Sequence, residues 1–309
     1  MKSFFPPALS CGDKVALTAP ASPVSSETLR SAVDSLRFLG LEPIVMPSCR
    51  MSYGYLSGGD FRRACDINDA FASKEIKGVF CIRGGYGSAR LLPLINSEII
   101  KKNPKPFIGF SDITALHAAP TLFGPMVTFH GPMPCTAYRD LDDFTLSSLK
   151  FWLFSPGKEI QLKNPPDCPL RTELPGEAYG RLTGGNLSVL VSTLGSPYEI
   201  DTRKKILFIE DINEEPYKID RALTALSLAG KFRDCSGIIT GTFSGCGMCG
   251  SDNYPAAENI IKEIIGKYRK PFVSNLQAGH IPRQMTLPIG AFIRIKAPSV
   301  HTSAEISVL

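Results

Sequence analysis

The chain has 309 residues, 43% hydrophobic and 20% charged, with a net charge of +5. That is enough apolar mass for two domains or one large one, and the charge is too mild and too dispersed to imply a nucleic-acid partner. The opening stretch, broken by Pro6 and Pro7, has no signal-peptide pattern, and no window of about eighteen uncharged apolar residues suggests a membrane span. Nine cysteines, an odd number lying mostly in apolar runs, read as reduced, buried thiols of a cytoplasmic protein.

In chain order, KVALTAP (14–20) is a strand, and SSETLRSAVDSLRFLG (25–40) a helix with Leu29, Ala32, Val33, Leu36 and Leu39 on one face and Gly40 as its stop. EPIVMPS (42–48) is a strand and DFRRACDINDAFAS (60–73) a helix. GVFCIRGG (78–85) is an apolar strand ending in glycines, followed by a short helix, SARLLPLI (88–95). KPFIGF (105–110) is a strand, 112–124 its helix, and MVTFHGPM (126–133) a further strand. Alternating β and α with continuous apolar strands predicts a doubly wound, mostly parallel sheet whose working loops lie at the strands' carboxyl ends. Those ends carry TAPASP, CIRGGYGS, GFSD and FHGPM.

A helix, DDFTLSSLKFWLFSP, closes this half. The Pro- and charge-rich stretch after it marks the boundary, giving an N-terminal α/β domain (1–160), a linker (161–175) and a smaller β-rich α/β C-terminal domain (176–309). In the second half KKILFIEDI (204–212) and SGIITGTFSG (236–245) are strands. Residues 215–232, with Pro216 in the first turn, and 253–268 are helices, and the tail from 287 alternates like antiparallel strands.

Ser111, in FIGFSDITALH, ends a buried strand and opens a helix. It is either a helix cap or a nucleophile displayed on a sharp strand-to-helix turn. A nucleophile needs a base, and the chain has four histidines. His117 follows six residues later, rotated by about 600° and raised by about 9 Å, which points it away from Ser111. His130 ends a strand and suits either packing or the site. His301 lies in a polar tail, and His280 sits in an irregular loop after Gly279, a place for a functional imidazole as well as a structural one. Glu210 and Asp211 end an apolar strand, where a carboxylate is either a solvated cap or a site residue. Gly84, Gly85 and Gly87 lack the third glycine of a dinucleotide fingerprint, since position 90 is Arg; they suit an oxyanion hole equally well. Cys246 and Cys249 form a lone CxxC without a second pair or a neighbouring histidine, a poor metal site.

Taken together, RGGYGSARLL, FIGFSDITALH, GPM, GGNLS, LFIEDINEEPYKIDRAL and GHIPRQMTLPIG, in this order and at these separations, resemble the serine LD-carboxypeptidases, also called muramoyltetrapeptide carboxypeptidases. The resemblance runs from about Lys14 to about Ile295. It implies a Ser-Glu-His triad of Ser111, Glu210 and His280, with the serine in the first domain and its partners in the second, and no metal or cofactor. It further implies a homodimer acting in the cytoplasm on a murein tetrapeptide. The oxyanion donors would be the backbone amides of Asp112 and of Gly85 or Tyr86. Arg83 is a candidate for the substrate carboxylate or for holding loop carbonyls, and Asn186 for lining the cleft or capping a helix. The alternatives are a microcin C-type immunity hydrolase, which needs an aromatic ring to stack on adenine, and a doubly wound ligand-binding protein in which Ser111 only caps a helix.

Overall fold

A computed structural model describes residues 3–155, 160–247, 256–300 and 302–309. The chain forms two compact units, Met1–Gly157 with Met285–Ile289, and Lys158–Gln284 with Gly290–Leu309. In chain order the strands are β1 (Lys14–Thr18), β2 (Glu42–Val45), β3 (Ile76–Cys81), β4 (Phe107–Gly109), β5 (Thr128–His130), β6 (Ile160–Gln161), β7 (Arg171–Leu174), β8 (Gly176–Asn186), β9 (Lys205–Ile212), β10 (Gly237–Ser244), β11 (Phe272–Ser274), β12 (Leu287–Ile289), β13 (Phe292–Ala297) and β14 (Glu305–Val308).

The first unit is a six-stranded sheet in the order β12-β5-β4-β3-β1-β2, parallel except for β12, which pairs antiparallel with β5. Its central strands are apolar and buried, as expected of a parallel sheet covered on both faces. The helix Ser26–Phe38 starts where the Ser25 side chain accepts the Thr28 amide, and Gly40 follows its end at φ 82°. Its buried stripe is Leu29, Ala32, Ser35 and Leu36, with Val33 only half-buried.

The helix expected over 112–124 is much shorter. A 3₁₀ turn, Ser111–Ile113, runs into Thr114–Ala118, and Ala119 is already extended (ψ 111°) because Pro120 disfavours helical backbone before it. The helix expected over 88–95 is a single 3₁₀ turn, Ser88–Leu91.

The second unit is an eight-stranded sheet in the order β6-β14-β13-β8-β9-β10-β11-β7. Strands β8 to β11 are parallel, flanked by antiparallel β13 and β7. The segment 161–175 begins in β6 and ends just past β7, the two edges of this sheet, and its prolines, Pro165, Pro166, Pro169 and Pro175, all lie outside the two strands. The helix expected over 253–268 is Ala257–Gly266, and 253–255 lie outside the described residues. The eight described cysteines are free thiols, but only Cys49, Cys81 and Cys235 are buried and Cys11 is exposed, so the expectation of uniform burial does not hold; Cys249 lies outside the described residues. No helix among the described residues is long and apolar enough to cross a membrane.

His117 fixes the edge of β4. Its Nε2–H donates to the Gly109 carbonyl at 2.8 Å, and its Nδ1 accepts the Thr128 hydroxyl at 2.7 Å. The Thr128 bond needs an unprotonated Nδ1, and burial, outweighing the pull of the Gly109 carbonyl, pushes the ring's pKa down to about 4. Between pH 6.5 and 4 the unfolded chain therefore binds a proton that the folded chain refuses, so stability falls as pH falls through this window. Denaturant unfolding at pH 7 and pH 4 should show the wild type losing about 3 kcal/mol more than His117→Gln over this range.

Candidate active site

The residues singled out in the sequence fall into two groups, one in each unit. In the first unit, Phe110 is extended (φ −151°, ψ −168°) and Ser111 turns abruptly to φ 62°. Left-handed backbone is unusual for a serine and stores strain unless its surroundings fix it. The turn is tight: a Cβ on Gly109 would lie 2.8 Å from Cγ2 of Ile113, so only glycine lets the helix start fold back over the strand end.

The glycine loop after β3 presses on the serine. A Cβ on Gly84 would stand 2.8 Å from Ser111 Cβ, 3.0 Å from its Oγ and 3.3 Å from the Asp112 amide nitrogen. Gly85 (φ 116°) has Ser22 against its α-carbon, and the Tyr86 amide donates to Ser22 Oγ at 3.2 Å. Ser22 was not a sequence candidate; it belongs to the TAPASP loop after β1, and polarity alone does not separate it from its serine neighbours. The Asp112 carboxylate is buried and accepts the Ser88 amide at 2.8 Å, while the Ser88 hydroxyl donates to the Asp112 carbonyl. Burial pushes this carboxyl up, against the pull of the Ser88 bonds. Arg83 is exposed and its guanidinium donates to the Pro23 carbonyl at 3.3 Å.

In the second unit, Glu210 of β9 is fully buried beside Asn186 of β8, and its Oε2 lies 2.8 Å from Nδ1 of His280. Burial pushes the Glu210 carboxyl up, and the His280 hydrogen bond pulls it back. A carboxylate on Nδ1 selects the tautomer that carries its proton there and presents a lone pair at Nε2. Gly279 (φ 116°) makes the approach possible: a Cβ on it would lie 2.6 Å from Glu210 Oε2 and 3.0 Å from Thr242 Oγ1.

The loop that carries His280 is held by bonds outside the sheet ladder. The Asn164 amide donates to the Asn275 carbonyl at 2.6 Å and its oxygen accepts the Gln277 amide at 3.0 Å. The Arg283 guanidinium takes both oxygens of Asp167, at 2.7 and 3.2 Å, and the Thr242 amide donates to the Ala278 carbonyl. Asn164 and Asp167 carry no signal in the sequence, because they act through a fold contact more than 100 residues away.

Asn186 caps the helix Leu187–Ser192 through the Val189 amide and donates to Asp211 at 2.9 Å. Asp211 also accepts the Ser188 amide and hydroxyl, at 3.0 and 2.7 Å. Neighbours on one strand point to opposite faces, so Glu210 and Asp211 divide into a histidine partner and a helix anchor. His130 packs against the ring of Phe110, His117 is structural, and His301 lies outside the described residues. Cys246 accepts the Glu214 amide, and burial pushes its thiol up to about 11. Among the described residues no cluster of His, Cys, Asp and Glu is arranged to hold a metal.

Two family models match, the LD-carboxypeptidase N-terminal domain over residues 15–131 and the LD-carboxypeptidase C-terminal domain over 179–295. The chain belongs to the LD-carboxypeptidase family and is a serine carboxypeptidase. It is 40% identical over 292 residues to the "Probable murein peptide carboxypeptidase" of Bacillus subtilis, covering 94% of this chain and 90% of that one. An MccF-like protein from Bacillus anthracis superposes with a TM-score of 0.87 at 26% identity, covering 99% of both chains. A muramoyltetrapeptide carboxypeptidase from Oxalobacter formigenes superposes with a TM-score of 0.82 at 28% identity, covering 96% of this chain and 98% of that one.

Gly279→Ala should separate Glu210 from His280. A loss of about 1–3 kcal/mol in stability is expected from the strained φ and the displaced carboxylate. Thermal unfolding reads the first effect, and disappearance of the downfield Nδ1 proton in the NMR spectrum reads the second.

Proposed function

We propose that this enzyme removes the terminal D-alanine from murein tetrapeptides through a Ser-Glu-His acyl-enzyme. The observation that carries the reading is the 2.8 Å bond between buried Glu210 and His280 in a chain whose Ser111 is held at φ 62°. In this reading Ser111 Oγ attacks the carbonyl of the L-configured centre that bears the D-amino acid. His280 Nε2 takes the serine proton and returns it to the leaving amine, while Glu210 stabilises the imidazolium. Water then attacks the acyl-enzyme by the same proton path. The Asp112 amide, beside Ser111, is one oxyanion donor. The Tyr86 amide already donates to Ser22, which favours Gly85 as the other. Arg83, exposed and with a 3.3 Å bond to Pro23, is the candidate for the substrate carboxylate. Asn186 serves the reading as a cap and as a neighbour of Glu210 rather than as a substrate contact.

The names of the Bacillus subtilis and Oxalobacter formigenes relatives support the murein peptide substrate. Recycling of cell-wall peptides in the cytoplasm and a homodimeric state enter the reading through the family resemblance. The microcin-type alternative draws on the MccF-like neighbour. It is weakened at the chain's single tryptophan, Trp152, the candidate ring for stacking on adenine, which is 1% exposed and stacked on Phe5 at 5.5 Å.

The test is D-alanine release from L-Ala-γ-D-Glu-meso-diaminopimelyl-D-Ala. Wild type should release it, and Ser111→Ala should be slower by about 10⁴-fold or more. No release by wild type, together with cleavage of a peptidyl sulfamoyl-adenylate, would replace this reading with the alternative.

A further inference from the structure

Arg63 sits in the helix Asp60–Ala72, and its side chain is completely buried. A buried guanidinium is expensive to desolvate unless its donors are matched. Here they are spent on backbone. Nη1 donates to the Gly87 carbonyl at 3.0 Å and to the Pro20 carbonyl, Nε donates to Gly58 at 3.2 Å, and Nη2 reaches Asp60. The other Asp60 oxygen takes Arg90 from two nitrogens, at 2.9 and 2.8 Å. Burial pushes the Asp60 carboxyl up, but Arg90 and Arg63 outweigh it and hold it below its ordinary value.

Three chain segments meet on this one side chain, and two of them flank the glycine loop. Pro20 lies two residues before Ser22, whose Oγ takes the Tyr86 amide and whose own amide donates to the Gly84 carbonyl at 3.4 Å. Gly87 closes the loop at φ 123°, and a Cβ there would lie 2.9 Å from Arg63 Nη1, so the backbone rests directly on the guanidinium. On the far side Ser88 is bonded to Asp112. The loop is therefore anchored at both ends, and between the anchors Gly84 touches Ser111.

We infer that Arg63 is a positioning residue for catalysis: it sets the height of the Gly84–Gly87 backbone over Ser111 and so the aim of the oxyanion donors. The inference rests on the reading of Ser111 as nucleophile. It needs arginine, because lysine offers a point charge and cannot reach carbonyls on three segments with one planar fork. A displaced donor acts on the tetrahedral state and leaves ground-state binding alone.

The test is the second-order rate of Ser111 with a fluorophosphonate, in which Oγ bonds to phosphorus, fluoride leaves and the serine proton goes to the base. Arg63→Lys should react about 10- to 10²-fold more slowly per folded molecule. The tetrapeptide Kd, measured on Ser111→Ala with and without Arg63→Lys, should change less than about threefold. If Arg63→Lys does not fold, Asp60→Asn removes the anchoring charge and leaves the carbonyl bonds; it should slow phosphonylation by about 3- to 10-fold. A folded variant that reacts at the wild-type rate, or one whose peptide affinity falls as far as its reactivity, overturns the inference. Wild type that reacts but releases no D-alanine corrects the substrate and leaves the Arg63 comparison valid. Wild type that does not react at all removes the nucleophile and Arg63's role with it.

Discussion

The working edge of the first unit depends on one backbone angle, φ 62° at Ser111. An L-residue held there costs about 1–2 kcal/mol, so the neighbours have to over-determine it. Strand β4 is pinned on both sides by β3 and β5. His117 reaches back to the carbonyl of Gly109, and Ile113 folds over the same glycine. Asp112, next in the chain, is tied to Ser88 through both its side chain and its carbonyl. With those contacts made, the serine cannot relax without breaking several buried hydrogen bonds, and Oγ stays at the strand end.

The second unit meets a different difficulty with the same devices. Burial pushes the Glu210 carboxyl up, and the hydrogen bond to His280 pulls against that shift. Glycine allows the close approach in both units: Gly84 over Ser111, and Gly279 over Glu210. A polar side chain then ties each irregular loop to the fold, buried Arg63 for the glycine loop and half-buried Asn164 for the histidine loop. Irregular loops have few ladder bonds of their own, so side-chain-to-backbone bonds supply the rigidity that secondary structure would otherwise give.

Much of this was legible in the residues. Apolar runs alternating with amphipathic segments placed β1, β3, β4 and the helix after β1, since burial on both faces imposes that pattern. The GFSD turn, the glycines of RGGYG and the glycine before His280 all stood out, because backbone that must come close to a side chain excludes Cβ. The helix after Ser111 was over-extended because Pro120 acts on the residue before it, a local rule that apolar periodicity masks. Strands β6 and β7 were hidden because they are short, two and four residues, and the prolines between and after them read as a linker.

The sequence by itself determined the β/α layering of the first sheet, the candidate serine, acid and histidine, and the family, because local periodicity and ordered motifs are properties of the chain read in one dimension. Only the tertiary structure decided that Asp211 anchors a helix, that Asn186 is a cap, and that β12 returns to the first sheet while β13 and β14 stay in the second. It also decided that Arg63, an ordinary helical arginine by pattern, is the hub beneath the glycine loop. A hydrogen bond is short-ranged and directional, and the long-range partners here lie as much as 116 residues apart. Such a pairing has no periodicity to betray it until the sheets bring the two groups together.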